Sequence, residues 1–302
     1  MSRISLFRDR ALLVGILATV TASFILGAMD ALAKWLMQDI SMHQVVWARY
    51  FFHTLIVGVV FTLQSGTGFM RAKRPFLQTI RALCLLCVTF GLYFAIQTIS
   101  LADATAILFF APVLVTLLAG FFLRERVGVQ EWLAVILGFV GVLFIVRPGF
   151  RTLQPEILVA LLSAIALSIY FVLTRALRGQ DSEQTTLFHT TVAGAIVLTA
   201  LLPFWWTTPS LMQWGYLFLT GVMGASGHFL LVKAFHLAPA PLLSPFLNAQ
   251  LVAAVFYSRV FFNDQLGVTF YLGAFLIVGA GLIVWAHQQI LAGRARKAVK
   301  AK

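Results

Sequence analysis

The fold is decided by two similar stretches, LADATAILFFAPVLVTLLAGFFLRERVGVQEWLAVILGFVGVLFIV (101–146) and LAPAPLLSPFLNAQLVAAVFYSRVFFNDQLGVTFYLGAFLIVGAGLIV (237–284). Each consists of two apolar segments joined by a short turn that carries an acidic residue, Glu125 in the earlier stretch and Asp264 in the later one. The resemblance predicts that a common unit occurs twice in the chain.

The composition places this unit in a membrane. Hydrophobic residues make up 61% of the chain and charged residues 11%, whereas soluble domains average about 45–50% and 25%. A helical span needs roughly 20 apolar residues. The sequence therefore predicts an all-α integral membrane protein with ten transmembrane helices, near 11–36, 42–64, 75–98, 102–123, 128–146, 157–178, 184–204, 211–235, 240–262 and 267–289.

The ten spans divide into two five-helix units. We expect the first repeat at 1–150 (spans 1–5), the second at 151–290 (spans 6–10), and a basic cytoplasmic tail at 291–302. An odd number of spans in each unit inserts the two halves in opposite senses. Such inverted repeats are typical of secondary transporters, which place the substrate near the midplane between the repeats.

The net charge of +12 is distributed as a topology signal. Seventeen cations, among them Arg71, Lys73, Arg74 and Arg81, fall in segments that are cytoplasmic if the N-terminus is inside, against four on the other side. This positive-inside bias predicts cytoplasmic termini. It also makes membrane lipid, rather than nucleic acid, the expected partner of the basic residues.

The two cysteines do not indicate a redox or metal centre. Cys84 and Cys87 form a CxxC pattern inside an apolar helix, where cysteines usually act as small hydrophobic residues. We therefore expect neither a metal nor a cofactor.

Several motifs resemble the EamA branch of the drug/metabolite transporter superfamily. They are GAMDALAKWL (27–36), an arginine in VVWARYFF (45–52), the helix-turn-helix APVLVTLLAGFFLRERVGVQEW (111–132), and the glycines of the fifth and tenth spans. The resemblance implies a basket of helices around a central cavity, with spans 5 and 10 at the periphery.

The same resemblance implies a transporter of small metabolites rather than an enzyme. We expect export of amino acids or related compounds across the bacterial inner membrane, by a monomer or weak dimer, with protons as a candidate coupling ion. The alternative is uptake of S-adenosylmethionine, riboflavin or a similar metabolite, because DALAKWL (30–36) resembles members linked to those compounds.

Four residues in the first two spans are candidates for substrate binding or coupling. Asp30 and Lys34 share one helix face at i,i+4 spacing; Lys34 could instead snorkel to the interface. Arg49 could bind a substrate carboxylate or serve as a structural buried charge, and His53 could titrate. We predict that Arg49 pairs with Asp30 and that Lys34 shares the same acid, because an unpaired charge in a bilayer is costly.

Six further polar residues in the spans complete the set of candidates: Tyr93, Gln97, Tyr170, His228, Ser244 and Asn248. Each could simply join helices by hydrogen bonds. As a set they are what a carrier of polar solutes needs around a common cavity.

A distant alternative is an intramembrane serine protease. Gly224-Ala225-Ser226-Gly227 resembles a GxSG nucleophile site, and His287 or His236 would have to supply the base. Small residues that bring helices close together explain this segment better.

Overall fold

The structure is a computed structural model that describes residues 3–122, 128–147, 155–177, 179–237 and 243–300. Over these residues the chain is helical, without strands. Its α-helices are α1 (Arg3–Leu36), α2 (Met42–Ser65), α3 (Pro75–Ile96), α4 (Leu101–Leu108), α5 (Ala111–Phe122), α6 (Val129–Val146), α7 (Pro155–Ala176), α8 (Glu183–Leu201), α9 (Leu211–Leu237), α10 (Ala249–Phe262) and α11 (Val268–Lys300). Short 3₁₀ helices cover Gly68–Met70, Leu202–Trp205 and Ser244–Asn248.

Local sequence signals explain where several helices begin. Ser41, Ser100 and Ser182 precede α2, α4 and α8, and each side-chain oxygen accepts a hydrogen bond from the backbone N–H three residues later. These bonds satisfy N–H groups that the first helical turn leaves unpaired. Pro75 begins α3 at a position where proline's missing N–H costs nothing.

The helices form a multi-pass membrane protein. Eight of them, including α1, α2 and α3, are long and apolar enough to cross a bilayer. Large apolar side chains cover the outer surface; Leu211 is 90% exposed, Leu63 82% and Phe275 75%. A surface of this kind is suited to lipid rather than water. The all-helical, membrane-spanning class predicted from the sequence is therefore confirmed.

The fourth and fifth predicted spans correspond to shorter apolar helical stretches, Leu101–Val115 and Trp132–Val146. The segment of the span predicted at 102–123 is interrupted, because α4 ends at Leu108 and α5 begins at Ala111. Pro112 lies just after this break, and proline cannot donate the backbone bond that would continue the helix. The predicted ninth span is also irregular at its start, since the 3₁₀ helix Ser244–Asn248, with Pro245 in its first turn, precedes α10.

Helix packing brings distant parts of the sequence together. The helix α1 packs against α9 and α10, α3 packs against α7 and α8, and α2 lies against both α8 and α9. The helices α6 and α11 pack closely on each other. Their contact passes through Gly141 and Gly273, where either glycine's missing Cβ would collide with the carbonyl oxygen of the other.

Candidate functional site

A charged cluster lies inside the bundle where α1, α2 and α3 meet. Nη1 of Arg49 lies 3.3 Å from Oδ1 of Asp30, the only ion pair among the described residues. The same Nη1 donates a hydrogen bond of 3.0 Å to the hydroxyl of Tyr93, and that hydroxyl donates to Oδ1 of Asp30 at 3.3 Å. The predicted pairing of Arg49 with Asp30 is confirmed, and Tyr93 completes a three-membered network.

Burial makes this network energetically coupled. The side chains of Arg49 and Asp30 are 14% and 7% exposed, and Tyr93 is fully buried. Each charge at this depth needs the other, since a lone buried charge loses its hydration without compensation. The guanidinium also lies over the Tyr93 ring, 5.5 Å from the ring centroid, which adds a cation–π attraction.

Lys34 does not share the acid, contrary to the prediction from the sequence. Its ammonium donates a hydrogen bond of 3.0 Å to the carbonyl of Ile99 and lies 4.9 Å from the centroid of the Phe262 ring. Lys34 therefore ties the end of α1 to neighbouring segments instead of joining the Asp30 network.

His53 and His228 face each other one helical turn from Arg49 along α2. Their ring centroids are 5.6 Å apart, and His53 is only 1% exposed. Nε2 of His53 is buried without a hydrogen-bond partner among the described residues. Gly224 of α9 allows the close approach, because a Cβ there would lie 3.2 Å from Nδ1 of His53. The structure thus brings together two imidazoles that the sequence places in different halves.

A second buried arginine, Arg81 on α3, was not among the predicted site residues. Its place near a span end predicts a cytoplasmic cation, but Arg81 is 1% exposed and lies inside the bundle. It donates to Oε1 of Gln78, the hydroxyl of Tyr170, the carbonyl of Thr186 and the hydroxyl of Thr190. One signal was available in the sequence: Arg81 lies six positions after Pro75, so it belongs to the second turn of a span.

Asp181 borders this second cluster through a hydrogen bond with Gln78. Its Oδ2 accepts from Nε2 of Gln78 at 2.9 Å and its Oδ1 from the backbone N–H of Lys73 at 2.7 Å. Burial alone would raise the pKa of Asp181, but these hydrogen bonds and the nearby charges of His189 and Lys73 outweigh it, so the pKa lies below its ordinary value. The ionised carboxylate is the form that accepts both bonds.

The remaining predicted residues do not join either cluster. Gln97 is exposed at the end of α3, where its amide contacts Sδ of Met42 and the carbonyl of Tyr93. Asn248 donates to the carbonyl of Pro245 within its own 3₁₀ helix. Ser244 begins that helix, and its side chain lies outside the described part of the structure.

Two cavities open at the surface of the described part of the structure. One of about 420 Å³ runs between α3 and α7 and is lined mainly by apolar side chains such as Phe90, Phe94 and Leu162. Another of about 180 Å³ lies where α2 and α9 end and α8 begins, and it contains Gln64, Glu183, Gln184 and Lys233. Among the described residues, no three His, Cys, Asp or Glu side chains are grouped so as to hold a metal ion.

The GxSG-like segment packs helices together. Ser226 donates its hydroxyl to the carbonyl of Met223 in its own helix. Gly227 allows Leu26 of α1 to approach, since a Cβ at Gly227 would lie 2.8 Å from two of that leucine's carbon atoms. These contacts favour the packing interpretation of the segment.

A helical membrane bundle with buried, partly unsatisfied polar groups is typical of membrane carriers, and comparison with known proteins agrees. The model of the EamA-like transporter family matches residues 13–147 and again residues 154–286. The chain belongs to the EamA-like transporter family, as the sequence motifs predict.

Curated relatives of the chain are named as transporters of different compounds. A protein of Rickettsia bellii named S-adenosylmethionine uptake transporter is 28% identical over 85% of this chain and 88% of its own length. The pseudopaline exporter CntI of Pseudomonas aeruginosa is 28% identical over 90% of this chain and 94% of its own. A riboflavin transporter of Rhizobium johnstonii is 24% identical over 91% and 92%, respectively. Their names point to transport rather than catalysis.

A solved structure shares the fold. One protein chain with a crystal structure superposes on this chain with a TM-score of 0.63. The two are 18% identical, and the superposition covers 94% of this chain and 99% of the other.

Proposed function

We propose that the protein is a secondary transporter that works by alternating access and moves small metabolites, amino acids or related compounds above all, out of the cell across the bacterial inner membrane. The observation that carries the proposal is the buried Asp30–Arg49–Tyr93 network inside a bundle of membrane-spanning helices. Ionisable residues at this depth are costly and mark substrate or ion pathways.

The donor atoms of Arg49 support a carboxylate-bearing substrate. Both of its hydrogen bonds to described residues leave from Nη1. Nη2 and Nε therefore remain available, and they form the edge of the guanidinium that binds a carboxylate in bidentate geometry. The side chain is 14% exposed, so it is not completely enclosed by its neighbours.

Helix packing and the family match support ten spans arranged as two inverted repeats. If the two halves are repeats, the first span corresponds to the sixth, the second to the seventh, and so on through the fifth and tenth. Each contact between two helices should then recur between their counterparts. The contact α1/α9 recurs as α7/α3 and α2/α9 recurs as α8/α3, while α6/α11 is its own counterpart; all of these pairs are in contact. The family model also matches the chain twice. We infer repeats at 1–150 and 151–290.

The histidine pair is our candidate for proton coupling. A secondary transporter needs an ion gradient unless it only equilibrates its substrate, and an imidazole ring nitrogen can bind and release a proton. His53 and His228 lie between α2 and α9, one turn from Arg49. Protons bound there would act on α2, which also carries Arg49, the proposed substrate-binding residue.

A second candidate function is uptake of S-adenosylmethionine, riboflavin or a related metabolite. It is favoured by the relatives of those names in Rickettsia and Rhizobium. S-adenosylmethionine carries an amino-acid carboxylate and would suit Arg49, whereas riboflavin has none. Dependence of binding on Arg49 therefore separates carboxylate substrates from riboflavin-like ones.

A ligand screen on the purified protein tests the proposal. We expect thermal unfolding to shift upward with amino acids or related carboxylates, and the shift to disappear in Arg49→Gln. Asp39→Asn is the matched control, because Asp39 is an exposed charge beyond the end of α1, and it should keep the shift. A shift with riboflavin that is the same in both variants would instead favour the second candidate function.

The proposal places both termini in the cytoplasm. The basis is the excess of cations in the segments on the N-terminal side of the membrane. A reporter fused to the C-terminus of an active protein should give a cytoplasmic signal, and a periplasmic signal would overturn this topology.

A further inference from the structure

The cluster around Arg81 connects helices that belong to different halves of the chain. Arg81 lies on α3, whereas Tyr170 lies on α7 and Thr186 and Thr190 lie on α8. The distances from the guanidinium are 3.2 Å to the Tyr170 hydroxyl, 2.7 Å to the Thr186 carbonyl and 2.8 Å to the Thr190 hydroxyl. The Asp30–Arg49–Tyr93 network, in contrast, joins α1, α2 and α3 of the first half alone.

All hydrogen-bond acceptors of Arg81 in the described structure are neutral. No described carboxylate lies within 4.0 Å of its guanidinium, and the residue is 1% exposed. Neutral oxygens satisfy the N–H donors but do not cancel the charge. A carboxylate makes shorter and roughly twice as strong hydrogen bonds to a guanidinium, and it makes two in parallel. The site therefore favours an anion over the groups that now occupy it.

The two buried arginines lie toward opposite ends of the bundle. Arg49 is in the second turn of α2 and Arg81 in the second turn of α3, and these consecutive spans cross the membrane in opposite directions. By the charge distribution, Arg81 is nearer the cytoplasmic face. The cavity of about 180 Å³ borders the same segment of α8 through Glu183, Gln184 and Leu187. Thr186, whose carbonyl accepts a hydrogen bond from Arg81, lies between Gln184 and Leu187 in the chain.

We propose that Arg81 is a second carboxylate-recognition site, at which an anionic substrate arriving from the cytoplasm replaces the Thr186 carbonyl and the Thr190 hydroxyl. Because these acceptors belong to the second half, their replacement releases α3 from α8 and opens the contact between the halves. The inference rests on the proposed transport function and adds to it a specific point of entry and the carboxylate as the group recognised there.

Sidedness of transport tests this inference. Uptake of a radiolabelled mixture of L-amino acids is measured in everted vesicles, which present the cytoplasmic face, and in right-side-out vesicles. Arg81→Gln should raise the KM at the cytoplasmic face about tenfold or more, the equivalent of losing one charged interaction, with a much smaller change at the other face. Arg71→Gln is the matched control, since Arg71 is an exposed cation just before α3, and it should change neither value.

A second variant predicts the opposite sign. Thr190→Val removes a neutral competitor for the guanidinium and should lower the KM at the cytoplasmic face, a result that a purely structural role of Arg81 does not give. The corresponding amino-acid amides should compete weakly in wild type.

Equal changes in KM on both faces, or an unchanged or raised KM in Thr190→Val, would overturn the inference and leave the proposed function standing. Absence of any saturable transport by wild type would overturn both.

Discussion

Asp30 and Arg49 form an ion pair that joins the first two membrane-spanning helices, with 3.3 Å between Oδ1 and Nη1. Neither residue can be exchanged for a neutral one without leaving its partner charged inside the bundle. Evolution of such a pair is hard to explain by stability alone, because well-packed apolar residues would often serve the fold equally well. The pair is better explained as a site whose charges are used.

The first prediction is that the two residues are coupled. Asp30→Asn and Arg49→Gln should each lower the free energy of unfolding by about 3–5 kcal/mol, because each leaves a buried charge unpaired. The double variant should lose clearly less than the sum. Thermal unfolding in detergent measures all three. Asp39→Asn, an exposed carboxylate, serves as control, and strictly additive effects of the two buried substitutions would show that the residues act separately.

The second prediction concerns the hydroxyl of Tyr93. Tyr93→Phe keeps the ring over the guanidinium but removes one bond to each charged partner. Hydrogen bonds to charged groups contribute about 1.5–3 kcal/mol each, so losing both should lower the free energy of unfolding by about 3–6 kcal/mol. Tyr216→Phe is a suitable control, because Tyr216 makes a ring contact with Trp35 and no hydrogen bond that involves its hydroxyl is found in the described structure. Equal stability of the two variants would contradict the network.

The third prediction concerns the contact between α6 and α11. A Cβ at Gly141 would lie 2.8 Å from the carbonyl oxygen of Gly273 and 2.8 Å from Cγ1 of Ile277. Gly141→Ala should therefore destabilise the protein by about 1–3 kcal/mol, the usual cost of overpacking. Gly279→Ala in α11 meets nothing within 4 Å and should be neutral or slightly stabilising, because alanine favours helices. Similar melting temperatures for both variants would argue against close packing of these helices.

The fourth prediction is a pH dependence at Asp181. Its folded pKa lies below the ordinary value because of the bonds from Gln78 and Lys73. The contribution of ionised Asp181 to the free energy of unfolding is therefore fully present above the pKa of the unfolded state, about 4. It is lost as the pH falls through the lower pKa of the folded state. Asp181→Asn should melt below wild type at pH 7, and the difference should shrink as the pH falls below the unfolded pKa of about 4. A difference that stays constant over this range would contradict the assignment.

The sequence predicts the buried ion pair for a simple physical reason. Asp30 is the one carboxylate well inside a predicted span, so an arginine in the next span has a single obvious partner. The hydrogen bond of Lys34 to Ile99 could not be predicted in this way, because it depends on where the connection between α3 and α4 folds back. Pattern arguments identify charges that need partners, but they do not say which backbone oxygen lies nearby.

The sequence assigns Arg81 to the cytoplasmic surface, whereas the structure buries it. Counting cations by their distance from span ends assigns an arginine in the second turn of a helix to the cytoplasmic surface, whatever surrounds it. Its burial results from the packing of α3 against α7 and α8, which is a property of tertiary structure. The break between α4 and α5 was visible in the sequence as Pro112, but averaging hydropathy over a whole span conceals it.

Counterflow in proteoliposomes tests the central claim most directly. Vesicles that contain the purified protein are loaded with an unlabelled mixture of L-amino acids, and a trace of the labelled mixture is added outside. A carrier should accumulate label transiently above equilibrium, saturate with external substrate, and lose both properties in Arg49→Gln while retaining them in Asp39→Asn. Flux that rises linearly with concentration and never overshoots would contradict an alternating-access transporter.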